Sequence, residues 1–206
     1  NSIRRITLGL VGLGYWGPNL LRNFDQLPDC RVKFCCDLDS RSLAKAKQQY
    51  PYLSVTDNYD TLLSDSEIDG IVIATPAKTH YTFAQKALQH GKHLFVEKPL
   101  TLDVQHAVEL VQLSEEMDRI LMVGHLMEYH PAVEKLKTLI QSGDLGRIYY
   151  LYAQRINLGK IRHDENAMWS FAPHDFSVAM YLLDAEPENV SARGGAYLQE
   201  GIDDVV

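Results

Sequence analysis

Cysteine is scarce in this chain and badly spaced for structural use. Its 206 residues hold Cys30, Cys35 and Cys36 and no other cysteine. An odd count with two neighbours is a poor disulfide framework, and the spacing matches no zinc site. The expectation is three thiols in or near a core, in a reducing compartment. Basic charge is also short: 20 Lys and Arg stand against 27 Asp and Glu, a net charge of −7. That balance argues against a nucleic-acid partner or an anionic membrane surface, and leaves room for a local basic pocket. No apolar run approaches the roughly 18 residues of a membrane span. Asn1 to Arg5 shows no apolar signal region, so a cytoplasmic location is expected. Repeats and low-complexity stretches are absent too. What is present is an ordinary globular composition, 46% hydrophobic and 23% charged. A chain of this length buries roughly 70% of its unfolded surface and needs no staple.

Apolar strand-like runs alternate with helix-period segments up to about residue 145. Strands are expected around Ile6–Val11, Val32–Cys36, Leu53–Thr56, Ile71–Ala74, His93–Val96 and Ile120–Val123. Helices are expected over Tyr15–Gln26, Ser40–Gln49 with Asp39 as N-cap, and Thr79–Gln89. Val104, Ala107, Val108 and Val111 form an i, i+3, i+4, i+7 stripe on the next helix, with Thr101 as its candidate cap. Pro131 opens another, with Val133, Leu136 and Ile140 inward, and Gly143 and Gly146 close it. Alternation of this kind implies βαβ units and a doubly wound parallel sheet.

The texture changes after Gly146. Ile148–Ile156 and Val190–Leu198 look like strands, separated by a polar stretch and a helical stripe at Phe176, Ala179, Met180 and Leu183. The expected division is residues 1–124 as a nucleotide-binding Rossmann domain and residues 125–206 as the first part of a second domain. That second domain is expected to be incomplete at Val206 and to associate with further copies, giving a homo-oligomer.

Gly12-Leu13-Gly14-Tyr15-Trp16-Gly17 is a GxGxxG turn between a strand and a helix. The first glycine permits the turn, the second lets backbone approach a pyrophosphate, and the third lets helix and strand pack closely. The helix N-terminus faces the phosphates. Asp37 follows 20 residues after Gly17, where a carboxylate accepts hydrogen bonds from ribose hydroxyls. Its charge repels a 2′-phosphate, so NAD is expected rather than NADP. Arg41, in the next helix, is the residue placed to favour NADP instead. Tyr15, Trp16, Thr75, Pro76, His80, Glu97 and Lys98 complete the expected cofactor contacts. Thr75-Pro76 and Glu97-Lys98-Pro99 end the fourth and fifth strands, and ligands bind outside such strand ends. A lysine there can hydrogen-bond a substrate hydroxyl and stabilise developing oxyanion charge.

Val11-Gly12-Leu13-Gly14 with Thr75-Pro76, His80, Gly91-Lys92-His93 and Glu97-Lys98-Pro99-Leu100 resembles the Gfo/Idh/MocA oxidoreductase family. The resemblance implies a Rossmann domain followed by a C-terminal α/β domain with an open sheet. It also implies pyridine-nucleotide chemistry on a sugar or cyclitol hydroxyl, with Lys98 as the catalytic lysine. Members often carry an Asp four residues before a catalytic His and another three residues after it. Here Ser170 and Ser177 hold those positions around His174. The Ala172-Pro173-His174-Asp175 form, with Arg155, Asn157, Arg162 and Trp169 upstream, resembles the subgroup that oxidises UDP-linked N-acetylhexosamine derivatives at C3.

His174, expected near a helix start, is then the general base, with a helix N-terminus keeping its imidazole neutral. Arg155, Asn157, Arg162, Asn166, Trp169, Lys98 and His174 are the expected substrate contacts. From Arg147 to Trp169 four basic residues face two acidic ones, which suits an anionic sugar nucleotide. No metal is implied. The alternatives are a cyclitol or free-sugar dehydrogenase and a non-catalytic NAD-binding regulatory protein.

Overall fold

The computed structural model describes residues 4–156 and 166–206. The chain divides into two compact units, Asn1–Gly124 and His125–Val206. In the first, β1 (Ile6–Val11), β2 (Cys30–Cys36), β3 (Ser54–Thr56), β4 (Gly70–Ile73), β5 (His93–Val96) and β6 (Leu121–Val123) form one sheet. Its order is β3-β2-β1-β4-β5-β6, and every neighbouring pair is parallel. The order reverses between β1 and β4, and that switch point opens the crevice where nucleotides bind in such sheets.

Helices α1 (Gly17–Asp25), α2 (Ser40–Gln49), α3 (Tyr59–Ser64), α4 (His80–Gln89) and α5 (Val104–Glu116) accompany the strands. Each face of the sheet carries a buried apolar cluster. Leu10, Val32, Leu53 and Val72 pack with Leu20 and Leu21 on one side, and Leu62, Ile71, Ile73, Leu88, Val96 and Leu110 pack on the other. Each such side chain contributes about 1.5–3 kcal/mol when fully buried. Asp39 caps α2 as expected, accepting from the Arg41 and Ser42 N–H groups.

Two features of α5 differ from the sequence expectation. The cap of α5 is Asp103, not Thr101: its carboxylate accepts from Gln105 N at 2.7 Å, while the Thr101 hydroxyl turns to the Asp103 carbonyl. The valine stripe of α5 also points outward. Val104, Val108 and Val111 are exposed, and Leu110 and Ser114 face the core instead.

Lys92 is buried because its ammonium has two acceptors, the carbonyls of Asp65 and Ile68 at 2.7 and 2.8 Å. It ties the loop before β4 to the entrance of β5. The thiols of Cys35 and Cys36 are buried, and burial pushes the Cys35 thiol up to about 12.

The second unit holds α6 (Pro131–Gln141) and α7 (Ala167–Leu183). Lys137, not Leu136, is the buried residue beside Val133 on α6. Its ammonium donates to the Tyr181 carbonyl at 2.5 Å and pairs with Asp184, so a cation closes the C-terminal end of α7. The apolar stripe read on α7 falls in a helix but does not form its buried face: Phe176, Met180 and Leu183 are exposed and Leu182 is buried.

Residues 148–156 and 190–198 form no strand among the described residues. The isolated bridge from Gly195 to Val205 is the β pairing found in this unit. A strand needs a hydrogen-bonded neighbour, and Tyr-rich sequence does not supply one. The open sheet implied by the family resemblance is therefore not among the described residues.

Candidate active site

Three glycines of the turn after β1 have three different surroundings. Gly12 has φ +96°, and a Cβ there would stand 2.6 Å from the Ala74 carbonyl carbon and oxygen. A Cβ on Gly17 would stand 1.9 Å from the Gly12 carbonyl oxygen. Around Gly14 nothing lies within 4 Å of a Cβ position. Two glycines thus let the chain pack on itself, and the middle one leaves open backbone that a ligand can approach. No side chain caps α1, and Pro18 occupies its first turn. These features fit the pyrophosphate of a dinucleotide.

Asp37 follows directly on β2, beside this turn. Its Oδ2 accepts the Leu13 N–H at 2.5 Å and its Oδ1 accepts the Asp39 N–H at 2.8 Å. Each carboxylate oxygen keeps a further lone pair for a hydroxyl donor. Tyr15 is 83% exposed and Trp16 is 38% exposed, so both present surface beside Gly14.

The ends of β4 and β5 are fixed against each other. His80 opens α4 with its ring buried. Its Nε2 lies 2.8 Å from the Thr75 carbonyl oxygen, and its Nδ1 lies 2.8 Å from the Pro99 carbonyl oxygen. A cofactor contact through this ring, as expected from sequence, has no free nitrogen to use. Thr75 is half-buried and Pro76 exposed, and the Thr79 hydroxyl lies 2.8 Å from Thr75 Oγ1. Glu97 is buried against Gly124, where a Cβ would meet its Oε1 at 3.1 Å. Burial pushes the Glu97 carboxyl above the usual carboxylate range; the Lys98 N–H, the Lys98 charge and the Trp16 side chain oppose that shift. Lys98, between Glu97 and Pro99, is half-buried.

In the second unit His174 is the eighth residue of α7, not near its start. Asn166 caps this helix by accepting the Trp169 N–H at 3.0 Å, and Pro173 lies inside it. The dipole argument for a neutral His174 therefore falls away, because the effect is confined to the first turn. Asp175 does not serve as a partner aimed only at His174. Both of its oxygens accept from Arg155 Nε, at 2.9 and 2.8 Å. Sequence reading missed this pair, since 20 residues separate its members and no local signal links them. Trp169 is half-buried. Asn157 and Arg162 lie outside the described residues.

An open cavity of about 360 Å³ lies by the opposite strand ends, lined by Arg4, Arg5, Thr7, Arg31 and Glu67. Arg4 pairs there with Asp69, and Arg31 with Glu67. Among the described residues no helix is long and apolar enough to cross a membrane.

The sheet order, the glycine turn and the acidic end of β2 define a Rossmann dinucleotide-binding domain. The chain belongs to the oxidoreductase family with an NAD-binding Rossmann fold, whose model matches residues 6–125; a GFO/IDH/MocA C-terminal domain matches residues 133–206. It is 36% identical over 145 residues to a UDP-N-acetylglucosamine 3-dehydrogenase of Acidithiobacillus ferrooxidans, covering 70% of this chain and 44% of that protein. It is 31% identical over 201 residues to a scyllo-inositol 2-dehydrogenase (NAD(+)) of Bacillus subtilis, covering 94% and 58%. A solved structure of the Acidithiobacillus ferrooxidans UDP-N-acetylglucosamine 3-dehydrogenase superposes with a TM-score of 0.82 at 28% identity, over 95% of this chain and 60% of that one. This chain spans about half the length of the curated relatives it matches.

Proposed function

We propose that this chain is part of an NAD-dependent dehydrogenase that oxidises a ring hydroxyl of a sugar nucleotide, such as C3 of a UDP-N-acetylhexosamine derivative. The observation that carries the reading is the joint likeness, in sequence and in structure, to a UDP-N-acetylglucosamine 3-dehydrogenase. Gly12, Gly14 and Gly17 would hold the pyrophosphate and Asp37 the adenosine ribose. NAD, when bound, supplies the acceptor for the hydride that leaves the carbinol carbon. His174 takes the hydroxyl proton as general base. Lys98 donates a hydrogen bond to the same oxygen as it becomes a carbonyl. Arg155, held by Asp175, offers its remaining N–H groups to an anionic part of the substrate. The reading includes a homo-oligomer in the cytoplasm.

A second reading, a cyclitol dehydrogenase, is favoured by the likeness to the scyllo-inositol enzyme over most of the chain. NADH formation by the full-length protein separates the two. The panel is UDP-N-acetylglucosamine, its uronic acid, scyllo-inositol and myo-inositol. Turnover with the UDP-sugars and not with the inositols is expected, and Lys98→Met or His174→Ala should each lower it about 10²-fold or more. Turnover with inositols alone would reverse the choice.

A further inference from the structure

Lys98 stands between two residues that are each fixed by a buried side chain. On one side Glu97 receives the Lys98 backbone N–H and the Trp16 side chain. On the other, the Pro99 carbonyl oxygen lies 2.8 Å from His80 Nδ1. The same ring reaches the Thr75 carbonyl at 2.8 Å through Nε2. One imidazole therefore bridges the loops that leave β4 and β5, from a site only 1% exposed.

Both partners of that ring are carbonyl oxygens, which only accept. Each contact therefore needs an N–H on the ring nitrogen that faces it, and the two contacts can be broken one at a time. A side chain that merely filled the core here would be apolar, because burying a polar ring costs free energy unless its hydrogen bonds are made. The bond to Pro99 spans 19 residues and fixes the backbone one residue past Lys98. We propose that His80 is a positioning residue for Lys98: its Nδ1 contact to Pro99 sets the backbone that aims the Lys98 ammonium. This rests on the role given to Lys98 under the proposed function.

The two nitrogens can be replaced separately. An Asn amide nitrogen stands where Nδ1 stands, and a Gln amide nitrogen reaches where Nε2 stands. The test uses His80→Asn, His80→Gln and His80→Leu in the full chain. Each is measured for melting temperature, for kcat and NAD KM with UDP-N-acetylglucosamine, and for the acetic anhydride labelling rate of Lys98 read by peptide mass. His80→Asn keeps the Pro99 contact and should hold kcat and labelling within about threefold of wild type. His80→Gln and His80→Leu should lose about 10²-fold in kcat, the scale of a small misplacement. In both, the Lys98 labelling rate should change while NAD KM stays within about threefold.

A purely structural histidine predicts a different pattern, in which Asn and Gln fall together in kcat as in melting temperature. That result, or wild-type kcat in a folded His80→Gln protein, overturns the proposal. Should His80→Gln and His80→Leu not fold, His80→Asn decides by its labelling rate: unchanged supports the proposal and changed overturns it. Full turnover in Lys98→Met would instead sink the role of Lys98, and the labelling arm would still report whether His80 sets that side chain.

Discussion

The Asp37 carboxylate accepts the Leu13 backbone N–H at 2.5 Å, so the residue that follows β2 also fixes the turn that follows β1. One side chain thereby couples the glycine turn after β1 to the end of β2, the places proposed for the pyrophosphate and the adenosine ribose.

That coupling shapes the cofactor prediction. Asp37→Ser should weaken NAD binding and relatively favour NADP, because a charged acceptor is lost and a repulsion removed. Asp37→Asn keeps one acceptor for Leu13 and turns a donor toward the Asp39 N–H, so it should hold the turn, loosen the start of α2 and still narrow the preference. Dissociation constants for both dinucleotides check this. An unchanged ratio in Asp37→Ser would mean that Asp37 does not face the ribose.

The glycines should separate folding from binding. Gly17→Ala places a Cβ 1.9 Å from the Gly12 carbonyl oxygen, so the turn has to shift and the melting temperature should fall. Gly14→Ala meets open space and should leave folding intact while blocking close approach of a pyrophosphate. Its melting temperature should match wild type, with NAD affinity reduced about tenfold or more. Equal NAD affinity in Gly14→Ala and wild type would remove the turn from the binding site.

The sheet was legible because β4 is a short apolar run buried at every position and β1, β2 and β5 carry apolar cores of the same kind, such as Val32, Phe34, Cys35 and Cys36 of β2. The six-residue α3 was not: it is too short to show a helical period, though Asn58 caps it and Leu62 and Leu63 anchor it. Pro173 misplaced the start of α7, since proline usually marks the first turn and here lies inside the helix. Asp103 and Thr101 are both cap types two residues apart, and only the geometry chooses between them. In the site, Gly12, Gly17 and Asp37 follow from local spacing. The bridge from His80 to Pro99 and the pair of Arg155 with Asp175 depend on tertiary contacts that no spacing rule encodes.

A cluster away from the crevice gives a pH prediction. The Lys33 ammonium hydrogen-bonds Asp65 and Glu67, which holds both carboxyls below 3.8 and 4.5 and raises Lys33 above 10.5. A depressed carboxylate contributes stability that is present above its unfolded value and is lost as pH falls through its folded value. A raised lysine contributes stability that is present below its unfolded value and is lost as pH rises through its folded one. The cluster therefore stabilises the fold between 4.5 and 10.5 and fails in acid. Its charges are partly solvated, so the effect is small. Thermal melts of wild type and Lys33→Met should differ most at neutral pH and converge in acid, as pH falls through the depressed values of Asp65 and Glu67. A difference that persists unchanged in acid would show that Lys33 acts by packing alone.

Arg155 carries the last prediction. Its Nε gives one N–H to Asp175, and a guanidinium has five to give. The group is therefore tethered through Nε to the neighbour of His174 in sequence, Asp175, and among the described residues its Nη groups have no hydrogen-bond partner. Between Arg147 and Trp169 basic residues outnumber acidic ones in a chain of net charge −7, which favours an anion at this place. Arg155→Ala should weaken sugar-nucleotide binding by about 1.5–3 kcal/mol, the scale of a charge-assisted hydrogen bond. Arg155→Lys should not restore it, because an ammonium cannot bind Asp175 and the ligand with one planar fork. Asp175→Asn should cost less, since it loosens the tether and leaves the charge. Binding of neutral inositol should be indifferent to all three changes. If Arg155→Ala weakens inositol and UDP-sugar binding equally, the residue maintains the fold of this unit, and the argument for an anionic substrate loses its best-placed cation.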